Sequence, residues 1–361
     1  MSDSGILKPG QKIKTVTTTN EVESLVKSLY AFDNFTIVEL NGYDDKNYKI
    51  SVRSLENDTE TEYTFKILNS LDSKNIALVE AQNDIMFFLN NRNYTCPKPV
   101  KNKFGTYFSV ESFVSGHHVV RLLTYIPGTI LYKTKPTPKT FYEIGREVGN
   151  LNVVLKDFEH IGVNNRKTIW TFESVPLIRQ YLFAIKDNYK RSVFENIITE
   201  FEKRVLKIVD SLEKGVIHGD INEQNLLTEY VNGDLVLTGL LDFGDISRSC
   251  YIFELAIAVT YMMIMSKSIE TAGYVIAGYS KVRTVSNIEL SILKMCTMAR
   301  ICQSYILGMY SSLQEPDNAY LLVSAENGWA ILQELLRESE EETLQNWLTI
   351  ANNYSKTADH S

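Results

Sequence analysis

The sequence predicts an α+β fold in two parts: a small antiparallel β-sheet with one main helix, then a larger, mostly α-helical part. Three observations carry this. Short runs rich in β-branched and aromatic residues, separated by Asn, Gly and Asp, fill residues 35–125. Beyond them, apolar residues recur at helical spacing. At 361 residues the chain is long for one compact domain and natural for two. The break falls where a strand-like run stops at Ile126-Pro127-Gly128, which divides the chain into 1–125 and 126–361.

Composition narrows the function classes. Hydrophobic residues make up 44%, enough for a sizeable core. The formal net charge of -7 argues against nucleic acid as a partner, because phosphate backbones favour basic surfaces. Cys96, Cys250, Cys296 and Cys302 form no C-x-x-C pair and no disulfide framework. Met1 to Gly10 is polar and lacks the apolar stretch of a signal peptide. The longest apolar run, Leu255 to Met265, is too short to span a bilayer. A cytoplasmic protein without membrane contact is expected.

Taken in order, Val22, Leu25, Val26 and Leu29 give a helix over Glu21 to Tyr30. Phe35 to Leu40, Tyr48 to Val52 and Tyr63 to Leu68 then read as strands. The segment Asn41-Gly42-Tyr43-Asp44-Asp45-Lys46-Asn47 is a plain hairpin loop by its turn formers. The same position suits a loop covering nucleotide phosphates through backbone N–H groups, which makes Tyr43, Asp44 and Asn47 candidate nucleotide contacts. Lys66 lies inside the third strand between Phe65 and Ile67. It is either a solvent-facing edge lysine or a cation that meets an anion. The helix expected over Ser73 to Leu89 carries Glu80, the favoured carboxylate for Lys66, and Asp84 one turn on. Two more strands follow, Tyr107 to Phe113 and His118 to Tyr125. Backbone groups around Leu123 to Tyr125 would face a purine at the break between the two parts.

The second part opens with apolar stripes from Phe141 to Phe158 and from Phe194 to Leu212, both core faces of helices. A hairpin follows, Asn225 to Thr228 and Leu235 to Gly239, turning at Asn232-Gly233. From Ile252 the pattern is helical: 252–266, 269–280, 287–309, 318–338 and 341–354, with a break at Pro316.

One stretch organises the chemistry. Val216-Ile217 leads into His218-Gly219-Asp220, Asn225 stands five residues beyond Asp220, and Leu241-Asp242-Phe243-Gly244-Asp245 follows about twenty residues on. Apolar runs thus deliver Asp220, Asn225 and Asp242 to loops. Asp220 can accept a hydroxyl proton, and Asn225 and Asp242 offer oxygens to a hard cation such as Mg²⁺. His218 reads as a residue that orients the loop. This is the layout of a kinase: a base, two metal ligands and a phosphate-facing lysine. No A-P-E and no long activation segment follow Asp242-Phe243-Gly244, so the acceptor is a small molecule and not a protein.

These residues resemble the aminoglycoside phosphotransferase and choline kinase superfamily, whose members carry Gly in the H-G-D triplet. Glu254-Leu255-Ala256 looks like that superfamily's acidic-Leu-Ala segment, with Glu where Asp is usual. Within it, Tyr43 to Asn47, Val120 to Gly128, Tyr142-Glu143-Ile144-Gly145, Tyr261 to Ile264 and Arg300-Ile301-Cys302-Gln303-Ser304 are similar to the hydroxylysine kinases, along nearly the whole chain. The resemblance implies a two-lobed protein-kinase-like fold. It implies transfer from GTP, or ATP, to the 5-hydroxyl of 5-hydroxy-L-lysine with Mg²⁺. Kinases of choline, ethanolamine or homoserine, and a nucleotide-binding pseudokinase, are the other readings. A zwitterionic substrate with a second amine needs acids and a cation. Asp245 and Glu254 are candidates for its ammonium groups, Arg300 for its carboxylate, and Trp329 for a pocket wall.

Overall fold

A computed structural model of the protein describes residues 5–54, 59–314 and 319–358. Contacts divide the chain into two units. One takes the residues up to Pro127 together with His160–Asn164 and Gly239–Leu241; the other takes Gly128–Glu159, Asn165–Thr238 and the residues from Asp242 on. The break expected at Pro316 lies outside the described residues.

The first unit begins with α1 (Thr19–Tyr30). A capping box starts it: the Thr18 hydroxyl accepts from the Glu21 N–H at 3.3 Å, and the Glu21 carboxylate accepts from the Thr18 N–H at 2.7 Å. The strands are β1 (Phe35–Leu40), β2 (Lys46–Arg53) and β3 (Glu60–Ile67), and after α2 (Ile76–Asn90) come β4 (Pro99–Val100), β5 (Ser109–Phe113) and β6 (Gly116–Thr124). They form one antiparallel sheet in the order β1-β2-β3-β6-β4, with β5 also on β6.

Strand alternation sorts this sheet into two faces. Tyr48 lies opposite Phe65, and Phe65 opposite Leu122. All three are buried with Ile50, Ile67 and Val120 against Val22, Val26 and Leu29 of α1. One residue along each strand, Asn47, Lys66 and Arg121 lie side by side on the other face. There Arg121 donates to the Asn83 side chain of α2 at 3.2 Å. Removing the Phe65 ring would cost about 3–5 kcal/mol, the lost burial plus the cavity left between sheet and helix.

The second unit comprises β7 (Thr129–Ile130), α3 (Pro138–Val154), α4 (Asn188–Phe201), β8 (Lys214–Ile217), β9 (Leu226–Val231), β10 (Asp234–Leu240, up to Thr238), β11 (Ser247–Cys250), α5 (Tyr251–Ser266), α6 (Thr271–Ser280), α7 (Asn287–Gln314), α8 (Ala319–Arg337) and α9 (Glu340–Ala358). Asn232 and Gly233, with φ of 52° and 90°, turn the β9–β10 hairpin as their sequence predicts. Gly145 and Gly278 let α3 and α6 touch backbone to backbone, since a Cβ on either would fall within 2 Å of a carbonyl oxygen.

Several features carried no signal in the sequence. The helical stripe expected to run to Leu212 ends as α-helix at Phe201 and continues as a π-turn, Glu202–Leu206. A 3₁₀ run fills Phe172–Ala184, with Pro176 inside it. The helix expected from Ser73 starts at Ile76, capped by the Asn75 side chain on the Leu78 N–H at 3.1 Å. Among the described residues no helix is long and apolar enough to cross a membrane.

Candidate active site

The second unit carries the loops that hold Asp220, Asn225 and Asp242, and the pairing of β8 with β11 sets them side by side. Ile217, the last residue of β8, lies opposite Ser247, the first of β11. The loop from His218 therefore leaves the sheet beside the one that ends at Ile246. At their contact Gly219 has a φ of +82°, and a Cβ there would stand 2.5 Å from the Asp245 carbonyl oxygen. Only glycine suits that backbone and that spacing.

Asp220 is held from all sides. Its Oδ2 accepts from the side-chain amides of Asn222, at 2.9 Å, and Asn225, at 2.8 Å. Its Oδ1 accepts from Nη2 of Arg300 at 3.2 Å. Its N–H points to Nδ1 of His218 at 3.3 Å, and the His218 ring meets Phe243 edge-on at 5.0 Å. His218 thus shapes the loop. Burial pushes the Asp220 carboxyl above its ordinary range; Arg300 and His218 pull it back, and Asp242 adds to the rise.

Asn225 commits its side-chain nitrogen to Asp220, through Oδ2 and, at 2.9 Å, the Asp220 carbonyl. Its amide oxygen is the atom left for a hard cation. Asp242 sits in the left-handed region, φ 57°, with Oδ1 accepting from the Gly244 N–H at 3.1 Å. Among the described residues no group of three or more His, Cys, Asp and Glu side chains is arranged for a metal. Two oxygen donors fit an ion such as Mg²⁺ that takes its remaining ligands from phosphate and water, and do not fit a structural zinc site.

Glu254 differs from expectation. It was a candidate for a substrate ammonium group, yet it is fully buried and its carboxylate accepts the N–H groups of His218, at 2.5 Å, and Gly219, at 3.1 Å. The reason is its helix: α5 is apolar on every side, so its first-turn acid enters the core and satisfies the loop backbone. Burial pushes this carboxyl up to about 7. Asp245 is half-exposed, 3.9 Å from Arg166.

Arg300 and Trp329 also depart from expectation. Arg300 is buried, with Nη1 on the Trp170 carbonyl and Nη2 on Asp220. Trp329 packs edge-on against Tyr189 and Phe194, with the Lys190 ammonium 4.9 Å over its ring. The tryptophan that meets Arg300 is Trp170, at 5.1 Å.

In the first unit, Lys66 is buried and its ammonium stands 3.3 Å from Asp45. Asp45 also accepts from the Asn69 N–H at 2.8 Å and from its side chain at 3.1 Å. The expected partner, Glu80, is exposed on α2, and Asp84 stands 3.7 Å from His160. An acid of the β1–β2 turn takes the position at Lys66 because Lys46 pairs with Ile67, which sets the preceding residue beside the end of β3. In that turn Tyr43 is half-exposed, and Asn47 donates to the Asn41 carbonyl at 3.3 Å. Lys14 donates to the Gly42 carbonyl at 2.7 Å. Asp44 is partly buried. Leu123 is buried, and the N–H groups of Thr124 and Tyr125 already donate to Lys98 and Glu62. A purine would have to use other backbone groups of this stretch.

Three site residues escaped the sequence reading. Asn222, two residues past Asp220, was legible as a short amide able to fold the loop on itself: its Oδ1 accepts from the N–H groups of Gln224 and Asn225. Asp45 was one of two adjacent acids with nothing to choose between them. Trp170 carried no signal at all.

A model of the phosphotransferase enzyme family matches residues 37–287. A hydroxylysine kinase of Xenopus laevis is 34% identical over 360 residues, covering 95% of this chain and 96% of its own. One of Bos taurus is 33% identical, covering 92% and 93%. Among solved structures, a microcompartment-associated aminopropanol kinase superposes with a TM-score of 0.63 over 92% of this chain and 94% of its own, at 15% identity, a likeness of fold.

Proposed function

The chain belongs to the phosphotransferase enzyme family, and from that premise we propose that it transfers the γ-phosphate of GTP to the 5-hydroxyl of 5-hydroxy-L-lysine, giving 5-phosphohydroxy-L-lysine. At the level of reaction class it is a small-molecule kinase with an alcohol group as acceptor. The observation that supports the finer one is the extent of the likeness to hydroxylysine kinases. It spans nearly the full length of both chains, so it includes the helical unit that carries Asp220, and not the nucleotide-binding motifs alone.

Each residue has a role in this reading. Asp220 accepts the proton of the acceptor hydroxyl as that oxygen bonds to the γ-phosphorus and the bond from phosphorus to the β–γ bridging oxygen breaks. Lys66 offsets phosphate charge. Tyr43, Asp44 and Asn47 belong to the loop over the phosphates, and Leu123 to Tyr125 to the purine side. Asn225 and Asp242 hold Mg²⁺, which when bound neutralises charge on the phosphate oxygens. Asp245, half-exposed beside the Asp220 loop, is the acid for a substrate ammonium group. The four free, buried cysteines suit the reducing cytoplasm.

The test is phosphate transfer from GTP and from ATP to 5-hydroxylysine, choline, ethanolamine and homoserine, side by side. Preferred transfer from GTP to 5-hydroxylysine supports the reading. A preference for another amino alcohol changes the acceptor. Nucleotide binding with no product from any of them leaves a protein that binds without turnover.

A further inference from the structure

Arg300 is a cation in a place where a core offers it little. It is 1% exposed. Burying a guanidinium costs several kcal/mol unless its donors are met. Here Nη1 donates to the Trp170 carbonyl at 2.9 Å and Nη2 to Oδ1 of Asp220 at 3.2 Å, while Nε has no partner among the described residues. Its Cζ stands over the ring of Trp170 at 5.1 Å and over that of Tyr261 at 5.4 Å. The Trp170 anchor is itself fixed. Gln303, one turn along α7, donates to the carbonyls of Ile169 and Thr171, both at 3.1 Å, and so clamps the segment on either side of Trp170.

The consequence falls on the two oxygens of Asp220. Oδ2 accepts from Asn222 and Asn225, which uses both of its lone pairs. Among the described residues, Oδ1 accepts from Arg300 alone and keeps one lone pair. We propose that Arg300 is a positioning residue for the transfer reaction: its fork, braced on Trp170, holds Asp220 so that the one open lone pair on Oδ1 faces the acceptor hydroxyl. This rests on Asp220 being the proton acceptor. It also gives Arg300 a task other than binding the acceptor's carboxylate. Lysine would keep the charge but cannot grip a carbonyl and a carboxylate at once in a fixed plane.

The experiment compares Arg300→Lys and Arg300→Ala with the parent protein. Thermal unfolding and nucleotide affinity serve as fold controls, and Arg300→Lys carries the comparison where the Ala variant fails to fold. Acceptors are 5-hydroxylysine and 1,5-diaminopentan-2-ol, the same alcohol without its carboxylate. A positioning role lowers kcat by ~10²-fold in Arg300→Ala and by a smaller factor in Arg300→Lys, with KM for acceptor and nucleotide within about threefold. The loss is the same on both acceptors, and added methylguanidinium restores part of it in Arg300→Ala. A raised acceptor KM at unchanged kcat, or a loss confined to the carboxylate-bearing acceptor, overturns the proposal in favour of substrate binding. Should the parent protein not phosphorylate 5-hydroxylysine, the acceptor assignment alone falls. The variants are then compared on nucleotide hydrolysis by water, where an unchanged rate in Arg300→Lys and Arg300→Ala overturns the positioning role.

Discussion

The ammonium of Lys66 stands 3.3 Å from a carboxylate oxygen of Asp45, with the two side chains only 7% and 13% exposed. A pair this buried is held together by mutual compensation, and removing one partner strands the other charge. Asp45→Asn is therefore expected to destabilise the nucleotide-free protein by about 3 kcal/mol. Saturating nucleotide with Mg²⁺ should recover much of that, because phosphate then meets Lys66. Glu80→Gln, on an exposed face, should leave both melting curves unchanged. Equal effects of the two substitutions would return Glu80 to the role its sequence position suggests.

Gly219 is the point where the Asp220 loop touches the segment ending in Asp245. Its φ of +82° and the 2.5 Å that would separate a Cβ from the Asp245 carbonyl oxygen leave no room for alanine. Gly219→Ala should cost roughly 2–3 kcal/mol in stability. It should also lower kcat by more than ~10-fold through displaced geometry at the next residue. Denaturant unfolding and steady-state kinetics read the two effects separately.

Glu254 links the loop to pH. Its carboxyl ordinarily titrates at 4.5, and burial in the fold pushes it up to about 7. Between those values the folded protein keeps a proton that the unfolded chain releases, so this group makes stability fall as pH rises across that window. The full effect is on the order of 3 kcal/mol. In Glu254→Gln the difference in unfolding free energy between about pH 5 and about pH 8 should shrink by that order. A pH dependence identical to that of the parent protein would show that Glu254 titrates normally.

Asp220→Asn keeps the shape of the side chain and removes its ability to take a proton. It should lower kcat by ~10³-fold while nucleotide affinity stays within about twofold. Turnover near that of the parent protein would remove Asp220 from the role of base.

Much of the site was legible before any tertiary contact was known. The apolar runs flanking His218 to Asn225 and Asp242 to Asp245 made strands and delivered those residues to loops, because alternation and turn chemistry act over a few residues. The Asn232-Gly233 turn followed for the same reason. Element ends were less legible: α2 begins three residues later than its apolar stripe suggests, since Asn75 supplies the cap there.

Long-range pairings were a different matter. The sequence favoured Glu80 for Lys66, with Asp84 as the fallback; the pairing of Lys46 with Ile67 brings Asp45 there instead. Arg300 and Asp220 lie 80 residues apart, and only the packing of α7 against the 169–171 segment brings them together. Glu254 read as an acid for a substrate ammonium group, but the apolar faces of α5 carry it into the core. The sequence by itself determined the two-part architecture, the polar loop ends and the class of chemistry, all encoded in local patterns. The tertiary structure decided which charges meet, because ion pairing inside a core depends on which elements exclude water together, and no spacing along the chain records that.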